Sequence, residues 1–149
     1  MVTKTLAQLR AEQARTLKDA AKPASAGQAS AGRSHTYNLL LLKLAEDKRA
    51  LKAIESIDRK IALKHELLPY YVEWVNAVLQ NGIGGADQVL MTVMLWRIDV
   101  GDFAGALAIG RYAIQHQLSM PDQYQRKTPT VLAEEIADTA KSMLANQPS

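Results

Sequence analysis

Two aspartates, Asp99 and Asp102, are the residues of this chain whose type and spacing come closest to a catalytic pair. Cleavage of a phosphodiester with Mg²⁺ needs several carboxylates that converge on the metal, because the attacking and the leaving oxygen must both be stabilised. Glu73 and Asp87 are the possible companions of the pair. Aspartates at these places in a helical pattern more often serve turns and helix caps, so a metal role is kept as the alternative.

The other reactive side chains lack the spacing that their chemistry requires. His35, His65 and His116 are scattered, and the chain contains no cysteine, which excludes disulfides, thiolate metal sites and cysteine nucleophiles. The glycine-rich stretch at 82–85 has neither the preceding strand nor the Lys-Ser/Thr pair of a phosphate-binding loop, so it is predicted to be a turn. We therefore expect no cofactor and no metal, with Mg²⁺ needed only if the chain is itself a nuclease.

Positive charge is concentrated at the amino-terminal end. The formal net charge is +3 at pH 7, and residues 1–34 carry six basic against two acidic side chains. This asymmetry is a usual footprint of a segment that contacts nucleic acid, although a solvated basic tail shows it as well. The candidate DNA-binding residues are Lys4, Arg10, Arg15, Lys18, Lys22 and Arg33.

A second set of basic residues lies between positions 43 and 64, where lysines and arginines alternate with glutamates. A mixed surface of this kind is more typical of a solvated helix with i,i+4 ion pairs than of a DNA-contacting face. The second-choice DNA-binding residues are Lys48, Arg49, Lys52, Arg59, Lys60 and Lys64.

The elements that must position these residues are predicted to be helices throughout. Leucine, alanine, isoleucine, glutamate and lysine dominate, with only eight glycines and five prolines, so the helix propensities favour an all-α fold. We predict a basic helical arm at residues 1–21, a flexible Ala/Ser/Gly linker at 22–34, a helical core at 35–146 and a tail at 147–149. No apolar run is long enough to span a bilayer, so we expect no membrane partner.

Apolar residues recur at heptad spacing from Tyr37 to Leu68, which fits one long helix or a helical hairpin that bends near Asp47 or Ser56. We favour the hairpin, because two aspartates interrupt the apolar seam.

Capping and turn residues predict the other helix boundaries. The hydroxyls of residues 34–36 are candidates to cap the first helix of the core, and Pro69 suits the first turn of a new helix. Asp87 and Asp102 are predicted to cap the two helices that follow it. The segment from 89 to 117 has the small/large spacing of a tetratricopeptide-like antiparallel hairpin. A helical-repeat adaptor that binds a protein partner is therefore one alternative function.

Four segments carry a resemblance to a known family. They are KLAEDKRALKAI, KHELLPYYVEWVNAVL, QVLMTVMLWRIDVGDFAGALAIGRYAIQHQLSMP and RKTPTVLAEEIA, within residues 36–137. The chain resembles the small, or endonuclease-associated, terminase subunit of P-two-like (peduovirus-type) tailed phages. Members of that family extend beyond the position of Ser149, so we expect a short variant or a piece of a longer protein.

The resemblance implies a role in packaging the viral genome in the host cytoplasm. A subunit of this kind binds double-stranded phage DNA at the cohesive-end site and presents it to the large terminase ATPase subunit, which it regulates. Small terminase subunits assemble as homo-oligomers, typically rings. Ring assembly would suit the apolar faces left over from the stretch between Tyr37 and Leu68, and the candidate oligomerisation residues there are Leu40, Leu44, Leu51, Ile54 and Ile61. Because the family is labelled an endonuclease subunit, the alternative is that the chain itself cleaves DNA with Mg²⁺; the sparse carboxylates favour the regulatory role.

Overall fold

The computed structural model describes residues 26–121 and 127–147, and all regular structure in those ranges is helical. This confirms the predicted all-α class. The helices are α1 (Ala26–Lys52), α2 (Ile57–Leu67), α3 (Val72–Asn81), α4 (Gln88–Asp99), α5 (Phe103–Gln115) and α6 (Thr128–Ala145), and a 3₁₀ turn, Leu68–Tyr71, joins α2 to α3. The predicted arm at 1–21 and the last two residues of the predicted tail lie outside the described ranges. Within them, every helix is too short or too polar to cross a bilayer.

Helix α1 begins well before the position that the sequence predicted. It starts at Ala26, so the flexible linker predicted at 22–34 is wrong from residue 26 onward, and residues 34–36 lie inside the helix instead of capping it. Alanine is the strongest helix former, and no proline follows Pro23 in this stretch. Such residues extend a helix that the packed part of α1 has already nucleated.

The helical structure is interrupted at residues 53–56. This break between α1 and α2 confirms the bend predicted near Ser56 and rejects the one near Asp47. The Ser56 hydroxyl accepts a hydrogen bond from the Arg59 amide at 3.3 Å and caps α2. Asp47 remains inside α1, where it is buried between Lys43, whose Nζ lies 2.8 Å away, and the hydroxyl of Tyr71. A buried carboxylate with two partners is compatible with an uninterrupted helix.

Helix α4 lies at the centre of the core. Nine of its twelve residues are buried, and it packs against α1, α5, α6 and the 3₁₀ turn. A helix that is apolar on all sides must be enclosed by the others. Helices α4 and α5 contact each other across the short turn at 100–102, and the likeness of this pair to a tetratricopeptide hairpin stays a prediction.

Three of the candidate oligomerisation residues belong to this core. Leu40, Leu44 and Leu51 are 4%, 2% and 7% exposed, because the stripe of α1 that carries them packs inside the chain. A neighbouring copy could contact them only if the core opened, so the predicted face is wrong at these positions. Ile54 and Ile61 are half-buried and lie nearer the surface.

Asp87 fixes the beginning of α4. Its carboxylate accepts hydrogen bonds from the Leu90 amide and from Nε1 of Trp74, both at 2.9 Å, which confirms the predicted cap. Burial raises the pKa of the Asp87 carboxyl, and these two hydrogen bonds oppose the rise. The Gln88 amide donates to the hydroxyl of Tyr37 at 3.0 Å, and the Tyr37 ring stacks on Trp74 with 5.7 Å between centroids. One helix start thus joins α1, α3 and α4.

Helix α6 packs mainly through its first half. Val131 and Leu132 are buried, and a Cβ added at Gly110 of α5 would lie 2.5 Å from Cδ2 of Leu132, so the two helices approach closely there. Leu144, near the end of α6, is 66% exposed. The apolar stripe of α6 therefore extends beyond the core that it covers.

The Asp87 cap generates a stability prediction. In an Asp87→Ala variant α4 loses its cap and the buried Trp74 N–H loses its acceptor, so we expect the free energy of unfolding to fall by about 2–4 kcal/mol. Urea denaturation followed by circular dichroism measures the change. The matched control is Asp102→Ala, which removes a more exposed cap and should cost about 1 kcal/mol or less. Equal losses in the two variants would contradict the role of the Trp74–Asp87 hydrogen bond.

Candidate nucleic-acid interface

The second-choice basic residues flank the break between α1 and α2. Arg49 and Lys52 lie in the last turn of α1, and Arg59 lies just after the cap of α2; all three side chains are exposed. Lys48 and Lys60 are half-buried. Exposed cations on both sides of one break can contact successive phosphates of a nucleic-acid backbone, which is the sequence-independent part of DNA binding.

Lys64, the last of the second-choice set, is held by a carboxylate. Its Nζ lies 2.6 Å from Oδ2 of Asp99, and the two side chains are 17% and 31% exposed. The pair links α2 to the end of α4, and among the residues of α2 none is fully buried. Lys64 therefore links α2 to α4 and balances the charge of Asp99, and a contact of Lys64 with phosphate stays a prediction.

Asp102 has different partners from Asp99. Its Oδ1 accepts a hydrogen bond from the Gly105 amide at 3.0 Å, which confirms the predicted cap of α5, and its Oδ2 lies 3.9 Å from Nε of Arg97. Arg97 also donates to the carbonyl of Gly105 at 3.2 Å. The two aspartates that sequence reasoning singled out thus serve two separate structural contacts.

The proposed companions of these aspartates do not complete a metal site. Asp87 is bound to Trp74 in the core, and Glu73 lies half-buried in the first turn of α3. Across residues 26–121 and 127–147, no three carboxylate or histidine side chains come together as metal ligands.

A buried polar cluster positions the basic half of α1, and sequence reasoning missed it. Tyr71 donates a hydrogen bond of 2.5 Å to Asp47, and the Lys43 ammonium lies 4.1 Å from the centroid of the Tyr70 ring. Burial, and next the hydrogen bond to Asp47, raises the pKa of the Tyr71 hydroxyl, which keeps it protonated as a donor. One feature of the sequence could have predicted this cluster: an aspartate interrupts the apolar seam of α1, and two consecutive tyrosines follow later in the chain.

The first-choice basic residues are only partly described. Arg33 is half-buried on α1, on the same helix as Arg49 and Lys52. The other five, Lys4, Arg10, Arg15, Lys18 and Lys22, lie outside the described ranges, so a DNA contact by the arm stays a prediction.

Comparison with known proteins gives one family match and two curated relatives. Residues 41–149 match the family model described as "Phage small terminase subunit". The chain is 54% identical over 101 residues to the "Terminase, endonuclease subunit" of Escherichia phage P2, which covers 68% of the chain and 41% of that protein. It is 29% identical over 121 residues to the "Probable terminase, endonuclease subunit" of Haemophilus phage HP1, covering 80% of the chain and 43% of that protein. The chain spans about two fifths of the length of these relatives. No solved structure matches it.

The Lys64–Asp99 pair generates a second stability prediction. Because both side chains are partly exposed, we expect a coupling energy of about 0.5–1 kcal/mol in a double-mutant cycle of Lys64→Met and Asp99→Asn. Urea denaturation at low and at high salt gives the cycle, and salt should reduce the coupling. The control cycle combines Lys52→Met with Asp99→Asn and should show no coupling. A Lys64 cycle without coupling would mean that packing alone holds α2.

Proposed function

Because the chain belongs to the phage small terminase subunit family, we propose that it acts in phage DNA packaging as a non-catalytic DNA-binding subunit. It binds the viral duplex at the packaging, or cohesive-end, site in the host cytoplasm. It then presents that duplex to the large terminase ATPase subunit and regulates it. The match across residues 41–149 is the observation that carries this proposal.

The charge distribution along the chain supports a DNA contact through α1 and α2. Residues 32–67, which form most of α1 and all of α2, carry eight basic and five acidic side chains, whereas residues 68–121 and 127–147 carry four basic and seven acidic ones. A duplex is attracted to the first group and repelled by the second. The exposed Arg49, Lys52 and Arg59 belong to the attractive group, and the basic arm precedes it in the chain.

The proposal includes assembly as a homo-oligomer, in the form of a ring. Each copy would contribute one arm and one α1–α2 surface to the same duplex. Modest affinities then multiply, because once one copy has bound, the others contact the DNA at a high effective concentration. Binding of this kind depends steeply on salt, since many counterions are released together.

A salt series with duplex DNA tests the DNA contact. Full-length variants neutralise either the arm (Lys4, Arg10, Arg15, Lys18 and Lys22 to Gln) or the α1–α2 surface (Arg49, Lys52 and Arg59 to Gln). We expect each set to weaken binding and to lower the slope of log K against log salt by about 0.9 for each phosphate that the variant no longer neutralises. Fluorescence anisotropy measures both quantities.

The control for this series is Arg111→Gln with Lys141→Gln, which removes two exposed cations from the helices that carry the acidic excess. It should leave the slope unchanged. If the control lowers the slope as much as the other sets do, the binding is diffuse and the proposed interface is wrong. If no set changes binding, the DNA role of the described fold is wrong.

A second candidate function rests on the names of the two relatives, which call them terminase endonuclease subunits. In this candidate the subunit is itself a Mg²⁺-dependent endonuclease. Asp99 and Asp102 would be its carboxylates, yet Lys64 and Arg97 already contact them. The shared part covers less than half of each relative, so the named activity belongs to proteins longer than this chain.

A nicking assay on supercoiled plasmid separates the two candidates. For a non-catalytic subunit we expect the purified chain alone to give no more nicked circles with Mg²⁺ than with EDTA. Asp99→Asn, Asp102→Asn and the exposed-carboxylate control Asp138→Asn should then behave alike. Mg²⁺-dependent nicking that Asp99→Asn or Asp102→Asn abolishes and Asp138→Asn spares would establish the endonuclease instead.

A further inference from the structure

Two leucines of α1 point away from the core. Leu39 and Leu42 are 43% and 68% exposed. Each residue of an α-helix turns about 100° around the axis, so Leu42 lies about 200° from both Leu40 and Leu44, which pack inside the chain. Helix α1 therefore carries an apolar patch on the side opposite to its buried stripe.

Polar side chains border this patch along the helix. His35 lies four residues before Leu39, and Glu46 lies four residues after Leu42; both polar side chains are exposed. Residues three and four positions apart are neighbours on a helix surface, so these four residues form one continuous surface, the outer face of α1. An apolar centre with a polar border is the usual anatomy of a protein–protein contact.

The outer face is complementary to itself when two copies of α1 run in opposite directions. In one antiparallel register, Leu39 of each copy lies opposite Leu42 of the other. The same register places His35 of each copy opposite Glu46 of the other. An imidazole can donate a hydrogen bond to a carboxylate in either of its protonation states, so both ends of the apolar patch are matched.

The charges on α1 select this antiparallel arrangement. In a parallel pair Glu46 would face Glu46 and Arg49 would face Arg49, and like charges repel. In the antiparallel register Arg49 lies opposite Gly32 and meets no cation. Duplex DNA is disfavoured on the outer face, because leucines offer phosphates no partner and Glu46 repels them. A surface that complements itself is what a contact between identical copies requires.

We propose that two copies of the chain pair through the outer faces of α1, antiparallel, with Leu39 of each opposite Leu42 of the other. The inference rests on the homo-oligomer of the proposed function and names one of its interfaces. The contact extends from residue 32 to residue 49, about 25 Å of helix. Because both copies use the same surface, the contact joins them in pairs, and a ring built from such pairs contains an even number of copies.

Light scattering on the full-length chain tests the apolar centre of the contact. Leu42→Asp would bury a charge there, so we expect the dissociation constant of the pair to rise by at least about tenfold. The matched control is Leu144→Asp, since Leu144 is 66% exposed and lies on α6. It should retain the mass of the unmodified chain, and circular dichroism should show both variants folded.

Exchange of the polar residues tests the register by the same measurement. Glu46→Lys places basic groups opposite each other, and His35→Glu places carboxylates opposite each other, so each should weaken pairing by about threefold or more. The double variant should restore pairing, because it forms the same ion pair in the reverse orientation. The control is Glu55→Lys, which changes an exposed glutamate away from the outer face and should leave pairing unchanged.

The absence of cysteine from the chain allows a test of direction. Full-length His35→Cys and Glu46→Cys variants are purified separately, mixed and oxidised gently. We expect a disulfide-linked heterodimer in at least about tenfold excess over either linked homodimer. In the antiparallel pair each cysteine lies about 16 Å along the axis from its counterpart, which is too far for a disulfide.

Three results would overturn the contact and leave the homo-oligomer of the proposed function in place. They are an unchanged mass of Leu42→Asp, a double charge variant that pairs no better than the single ones, and a preference for linked homodimers. A monomeric unmodified chain would overturn the contact and the homo-oligomer together. The DNA salt series decides the DNA contact independently of all these results.

Discussion

The carboxylate of Asp87 sets the position of the helix against which the rest of the fold packs. Its burial is unfavourable on its own, and two N–H donors, from Leu90 and from Trp74, offset that cost where the dipole of α4 is positive. The adjacent contact between Gln88 and Tyr37 brings α1 to the same point. Once α4 is placed there, its apolar surface determines where α1, α5 and α6 must lie.

Helix α2 differs from the other helices because the core does not enclose it. Leu63 and Leu67 only partly pack against the core, and the Lys64–Asp99 pair supplies a polar link. A loosely covered helix beside a break leaves backbone and side chains accessible. The exposure of Arg59 is a consequence of this arrangement. The proposed contact with DNA therefore involves the part of the protomer that the core covers least.

Local patterns predicted much of this architecture correctly. The break at Ser56, the proline-opened turn at Pro69 and the caps at Asp87 and Asp102 follow from interactions within a few residues, which depend little on the rest of the chain. The family resemblance was likewise confirmed, because it rests on strings of residues that can be compared directly. The early start of α1 was missed because Ala/Ser/Gly composition suits a linker as well as the extension of a nucleated helix.

Residue type and short-range order were enough to predict the helical class, most of the helix boundaries and the family. Which side chains are available for function depends instead on how the helices pack against one another. Heptad spacing could not distinguish a face turned toward α4 from one turned toward another copy, so Leu40 and Leu44 were assigned to the wrong contact. Likewise, 35 positions separate Lys64 from Asp99, and 28 positions separate Gly84 from Tyr112, whose hydroxyl accepts a hydrogen bond from the Gly84 amide. Contacts between distant parts of the chain exist only after folding, because packing of the core brings those residues together.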